Sequence, residues 1–200
     1  NEFREKINMS GVNSINWARI ICQIVYYFYA VFKIGKENIS FSVPTGNFGD
    51  IYAGYIAKKM GLPIDKLIVA TNENNILQRV INTGEYRPDK VKPSLSPSMD
   101  IQVSSNFERL LFDILSGDDK KVASLMNDLK IKGFFKLDQE LVKIIKKDFC
   151  AEKINDLEIY KDQLINRLDP SMSLMQGINA KIRKKPKRVI FAEGEDMNML

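Results

Sequence analysis

Histidine is absent from this 200-residue chain, and cysteine occurs only twice, as Cys22 and Cys150. The first absence excludes Ser-His and Cys-His nucleophile systems, histidine general bases and histidine metal sites within these residues. The second leaves no C-x-x-C spacing, so no zinc or iron-sulfur site is expected and a disulfide framework is excluded. Both cysteines are expected to be reduced packing residues. The most apolar stretch, residues 20–32, is broken by Gln23 and falls short of the ~20 residues that a bilayer span needs. Neither G-x-x-x-x-G-K-[ST] nor G-x-G-x-x-G occurs, which removes the best-known nucleotide-phosphate loops. No signal peptide opens the sequence, and a cytoplasmic protein is the expectation. The chain starts at Asn1 without an initiator Met, in a helix-like stretch, and reads as a fragment or a processed product.

What is present is an ordinary globular composition. Hydrophobic residues make up 44% and charged residues 28%, which excludes a disordered or fibrous chain. Thirty Lys and Arg against 25 Asp and Glu leave a formal charge of +5. That excess permits an anionic ligand and does not demand nucleic acid.

Residues 14–33 read as a helix capped by Ser14, apolar on nearly every side and therefore expected to be buried. Residues 39–43 alternate as a strand, 44–50 form a tight loop, 50–60 read as a helix, and 66–70 as a second strand. Strand, glycine loop, helix and strand within about thirty residues is a βαβ unit, parallel and right-handed. A helix over 74–83 is stopped by Gly84, and residues 87–97, with three prolines, form an ordered loop. Beyond residue 104 only helices are expected, over 106–115, 120–131 and 138–149, with Asp138 as an N-cap. Two weaker helical patterns broken at Pro170 and a basic run over 182–188 follow, then a strand from Val189.

The loop of Thr45, Gly46, Asn47, Phe48 and Gly49 is the stretch that suggests chemistry. Glycines can turn a chain sharply and let amide N–H groups approach a ligand. A helix starts at the same point, so its unpaired N–H groups and the positive end of its dipole converge there. Such a place holds a phosphate, with the Thr45 hydroxyl and the Asn47 amide as further donors. A ligand-free turn is the alternative.

Several segments, in order, resemble threonine synthase. They are Gly11-Val12-Asn13-Ser14-Ile15-Asn16-Trp17-Ala18-Arg19-Ile20, Val43-Pro44-Thr45-Gly46-Asn47-Phe48-Gly49-Asp50, Ala70-Thr71-Asn72-Glu73-Asn74, Ser96-Pro97-Ser98-Met99-Asp100-Ile101 and Ser104-Ser105-Asn106-Phe107-Glu108-Arg109-Leu110-Leu111. The resemblance spans about residues 1–160. It implies an α/β chain, part of the fold type II (tryptophan synthase β-like) class of pyridoxal-phosphate enzymes. It also implies the last step of threonine biosynthesis, conversion of O-phosphohomoserine and water to L-threonine and phosphate. Thr45, Gly46, Asn47, Phe48 and Gly49 would then hold the phosphate of pyridoxal 5'-phosphate. Asn13, Ser14 and Asn16 would lie near the substrate, although they read equally well as a helix cap and its neighbours.

The family's cofactor lysine lies in an upstream segment resembling H-G-P-T-x-A-F-K-D, and nothing like it occurs here. Phe135-Lys136-Leu137-Asp138 is a superficial echo that precedes a helix cap. No catalytic residue is therefore identified, and no metal ligand. The partners implied are the small substrate and a complementary polypeptide supplying the missing segment, with no nucleic acid and no membrane. Residues 161–200, with Lys185-Pro186-Lys187-Arg188-Val189-Ile190-Phe191-Ala192, resemble the start of the phosphotransacetylase-like domain of bacterial malic enzymes. Two incomplete pieces suggest a fusion, a frameshifted remnant or a misread frame; a stand-alone phosphate-binding module remains the other reading.

Overall fold

The structure, a computed structural model, describes residues 13–35, 38–94, 96–153 and 189–191. The weak helical patterns of 161–184, the basic run of 182–188 and the helix-like start before residue 13 lie outside the described residues.

Helix α1 (Trp17–Ile34) leads into strand β1 (Ile39–Pro44), helix α2 (Gly49–Lys59) and strand β2 (Ile64–Thr71). Helix α3 (Ile76–Thr83), strand β3 (Glu85–Tyr86), a 3-10 turn (Pro97–Met99) and helices α4 (Phe107–Ile114) and α5 (Asp119–Lys132) follow. Strand β4 (Phe135–Lys136), helix α6 (Gln139–Asp148), strand β5 (Phe149–Lys153) and strand β6 (Val189–Phe191) complete the described chain. The main sheet has the order β5-β2-β1-β6 and is parallel throughout, while β3 and β4 form a small antiparallel pair. A parallel sheet must be covered on both faces. The strands answer to that rule: every residue of β1 is buried, as are the last five of β2.

The βαβ unit forms as expected. Helices after residue 104 do too, but the expectation of helices alone there is corrected. Residues 149–153 extend the parallel sheet beside β2, pairing Leu67 with Phe149 and Thr71 with Lys153. Their pattern continues the apolar spacing of α6, so helical periodicity conceals the switch to strand. Phe135 and Lys136 likewise pair with Tyr86 and Glu85. Strand β6 joins the edge of β1, pairing Phe41 with Ile190.

Two further corrections concern α1. Its cap is Asn16, whose side chain accepts the Ala18 N–H at 2.9 Å, and not Ser14. Nor is the helix buried all round. Ile20, Tyr27 and Val31 face the core, whereas Ile21, Val25, Tyr29 and Phe32 form an opposite stripe open to solvent, Phe32 at 71% exposure. Cys22 lies on that open side and is not a packing residue. On the inner side Tyr27 packs edge-on to Phe41 at 4.8 Å and donates to the Asp50 carbonyl at 3.1 Å. A methyl group on Gly54 of α2 would stand 2.6 Å from the Tyr27 ring, so only glycine lets the two helices meet.

A second aromatic layer joins the sheet to the later helices. Tyr86 stacks on Phe135 at 4.7 Å and on Phe107 at 5.5 Å, and its hydroxyl accepts the Ser104 N–H at 2.8 Å. Burial pushes the Tyr86 hydroxyl up to about 12, against the opposing effect of the Ser104 N–H. Tyrosine in an unfolded chain ionises near about 10. Between those values the folded state holds the proton and the unfolded state does not, so stability falls as pH rises. Denaturation midpoints are therefore expected to fall from about pH 10 upward. Tyr86→Phe should lower stability at pH 7 by about 1 kcal/mol, through the orphaned Ser104 N–H, yet flatten the alkaline decline. Equal alkaline slopes for both proteins would show that Tyr86 plays no part in it.

Candidate functional site

The loop between β1 and α2 lies at the carboxyl ends of the parallel strands, where open α/β sheets bind ligands. Pro44 ends β1, and Thr45 fastens the turn: its N–H donates to the Ala70 carbonyl at 2.9 Å and its hydroxyl to the Val43 carbonyl at 2.7 Å. The Thr45 hydroxyl proton is thus committed to the backbone. In this structure that side chain fastens the turn to its own strand.

The glycines also act differently from expectation. Neither Gly46 nor Gly49 has a positive φ; the left-handed residue is Phe48, at φ 65°. That conformation costs an L-residue about 1–2 kcal/mol. Burial compensates, since Phe48 is fully enclosed, with its ring 5.4 Å from Phe107 and 5.5 Å from Phe149. Gly46 is required for close approach instead. A methyl group there would meet the Ser98 carbonyl at 2.8 Å and the Ile101 side chain at 2.9 Å. On Gly49 it would lie 3.3 Å from the Asn106 amide and 3.6 Å from the Ser14 carbonyl.

The N-cap residue of α2, Phe48, makes no side-chain cap hydrogen bond. The start of a helix presents its first-turn backbone and the positive end of its dipole to an anion. Asp50, also in that turn, is buried, and burial followed by its carboxylate pushes the Tyr27 hydroxyl well above the usual range.

Asn106 joins the two candidate segments. Wholly buried at the start of α4, it donates its backbone N–H at 3.0 Å and its amide Nδ2 at 3.1 Å to the Asn47 carbonyl. The same amide donates to the Ser14 carbonyl at 2.8 Å. Its Oδ1 accepts from Arg109 at 2.8 Å, and Arg109 also donates to the Ile15 carbonyl at 2.6 Å. Ser105 adds a hydrogen bond of 3.3 Å to the Asn47 side chain. The structure thus brings residues 13–16 against the loop of Thr45, Gly46, Asn47, Phe48 and Gly49. Asn13 and Asn16 spend their side-chain oxygens locally, on the Ile15 and Ala18 N–H groups. The roles of Asn106 and Arg109 are not legible in the sequence, because nothing there tells which polar residue of an amphipathic helix turns inward. A cavity of about 470 Å³ borders this junction, lined among others by Trp17, Tyr52, Ser105 and Arg109. Among the described residues no group of three or more acidic, histidine or cysteine residues could hold a metal ion, and no helix is long and apolar enough to cross a membrane.

A parallel sheet with this turn at the carboxyl end of β1 is part of the fold type II architecture of pyridoxal-phosphate enzymes, and solved structures bear this out. A pyridoxal-phosphate-bound threonine synthase from Brucella melitensis superposes with a TM-score of 0.84 at 44% identity, over 96% of this chain and 43% of that one. The yeast threonine synthase structure gives 0.80 at 41% identity, over 90% of this chain and 41% of that one. In sequence, the chain is 50% identical over 171 residues to threonine synthase of Saccharomyces cerevisiae, covering 78% of this chain and 33% of that protein. The threonine synthase of Pseudomonas aeruginosa is 50% identical over 156 residues, covering 77% and 33%. The chain spans about a third of the length of these curated relatives. No protein-family model matches it.

Asn106→Ala should cost about 2–3 kcal/mol, because the Asn47 and Ser14 carbonyls lose buried donors, and chemical denaturation measures this directly. If the loop holds a phosphate, Gly46→Val should abolish binding of inorganic phosphate in calorimetry, since a side chain at that position displaces the Ser98 backbone. Unchanged affinity would make the loop a turn and nothing more.

Proposed function

We propose that this chain is a segment of a threonine synthase, in which Thr45, Gly46, Asn47, Phe48 and Gly49 with the start of α2 grip the phosphate of pyridoxal 5'-phosphate. The observation that carries this reading is the start of α2 directly behind a loop whose Gly46 has no room for a side chain. The backbone N–H groups there would receive the phosphate, while Thr45 and Asn106 hold the loop in shape. When bound, the cofactor supplies an electron sink for carbanions on the substrate. The substrate proposed is O-phosphohomoserine, with water, giving L-threonine and phosphate. Residues 13–16, tied to Asn106 and Arg109, form the substrate-side wall.

Proton transfer among the substrate carbons needs a positioned amine, which these 200 residues do not offer in any segment resembling H-G-P-T-x-A-F-K-D. We propose that a complementary polypeptide region supplies it and covers α1. The stripe of Ile21, Val25, Tyr29 and Phe32 supports this, because a solvent-exposed apolar strip on one helix is what a missing packing partner leaves behind. Residues 161–200 we read as the start of a phosphotransacetylase-like domain.

Two measurements test the proposal. Pyridoxal 5'-phosphate and inorganic phosphate should bind the chain competitively in calorimetry; no binding of either would sink the reading. The chain alone should release no threonine from O-phosphohomoserine above background, whereas addition of a polypeptide bearing the lysine segment should restore turnover. Threonine formation by the isolated chain would overturn the assignment of the amine to another region. A non-catalytic remnant would show neither binding nor rescue.

A further inference from the structure

Asp100 has a role that the reading above does not use. The 87–102 crossing carries three prolines, and its described residues form no strand, so side chains must satisfy its backbone. Asn74, buried just past β2, does so for Lys92: its Oδ1 accepts the Lys92 N–H at 2.9 Å and its Nδ2 donates to the Lys92 carbonyl at 2.8 Å. Asp100 closes the arrangement. Its Oδ1 accepts from Asn72 Nδ2 at 2.8 Å, Asn74 Nδ2 at 2.9 Å and the Ser94 hydroxyl at 2.7 Å, and its Oδ2 accepts the Ser94 N–H at 2.7 Å. Asn72 also donates to the Ser94 hydroxyl at 2.9 Å. Among the described residues no lysine or arginine forms an ion pair with Asp100. Four neutral donors on one carboxylate fix its direction rather than neutralise its charge, and charge-assisted bonds of this kind are the strong ones.

What Asp100 holds in place is the backbone against Gly46. Ser98, Met99 and Ile101 are the atoms that a methyl group on Gly46 would strike. We propose that Asp100 is a positioning residue: with Asn72, Asn74 and Ser94 it clamps this segment onto Gly46 and so keeps the anion loop in its binding shape. The consequence for ligand affinity rests on the phosphate-binding reading; the clamp itself does not.

Hydrogen exchange and calorimetry on the full chain separate the two. Asp100→Asn keeps the size of the side chain but turns an NH₂ donor toward donors that need an acceptor. It should speed exchange of the amides of residues 46–51 by about tenfold or more, while those of α6 and β5 stay within about twofold of the parent. Affinity for inorganic phosphate should fall by about tenfold. Ser94→Ala, which removes one donor from a half-buried loop position, should shift both in the same direction by less; it decides the matter should Asp100→Asn fail to fold. Unchanged exchange at 46–51, or an equal rise in α6, would overturn the clamp. Absence of phosphate binding in the parent chain would defeat the phosphate reading alone, and the exchange pattern would still support or overturn the clamp.

Discussion

The carbonyl of Asn47 accepts two hydrogen bonds from one buried residue, Asn106, and the rest of the candidate site is arranged around that junction. A buried carbonyl in a turn cannot be left without donors. Here the donors come from the first turn of α4, some sixty residues away along the chain. Because the same amide reaches the Ser14 carbonyl, three segments with no sheet contact between them are locked into one corner. The loop at the end of β1 is consequently shaped from both sides, by Asn106 on one and by the Ser98–Ile101 backbone, held through Asp100, on the other.

Strain and packing reinforce each other at Phe48. A left-handed phenylalanine is unfavourable on its own, and its ring is wedged between Phe107 and Phe149. The aromatic contact turns the backbone at a position where a flexible glycine would leave the turn loose. Binding an anion with backbone N–H groups depends on such rigidity, since a loop that must be ordered by its ligand gives up affinity to do so.

The two sides of α1 illustrate how apolar residues divide their work. Its inner side meets Gly54 and Phe41, while Ile21, Val25, Tyr29 and Phe32 stand in water. Among the described residues the same helix thus carries one side set into the core and an apolar side outside it.

Much of this was legible in the residues. The βαβ unit, the start of α2 within a residue, the Gly84 stop and the Asp138 cap all follow from local patterns, because periodicity, glycine and capping chemistry act over a few neighbours. The place of the loop was legible for the same reason. Its inner mechanics were not: that Phe48 rather than a glycine takes the positive φ depends on Phe107 and Phe149, met only in the folded chain, while the Thr45 bond to Val43 and the Asn16 cap are local choices among several that the residues equally allow. The strand over 149–153 escaped detection because its partner β2 lies some eighty residues earlier. By itself the sequence determined where a turn and a helix start would fall. Only the tertiary structure decided that Asn106 and Asp100 hold that turn in shape, because hydrogen bonds across such separations exist only once burial has brought their donors and acceptors together.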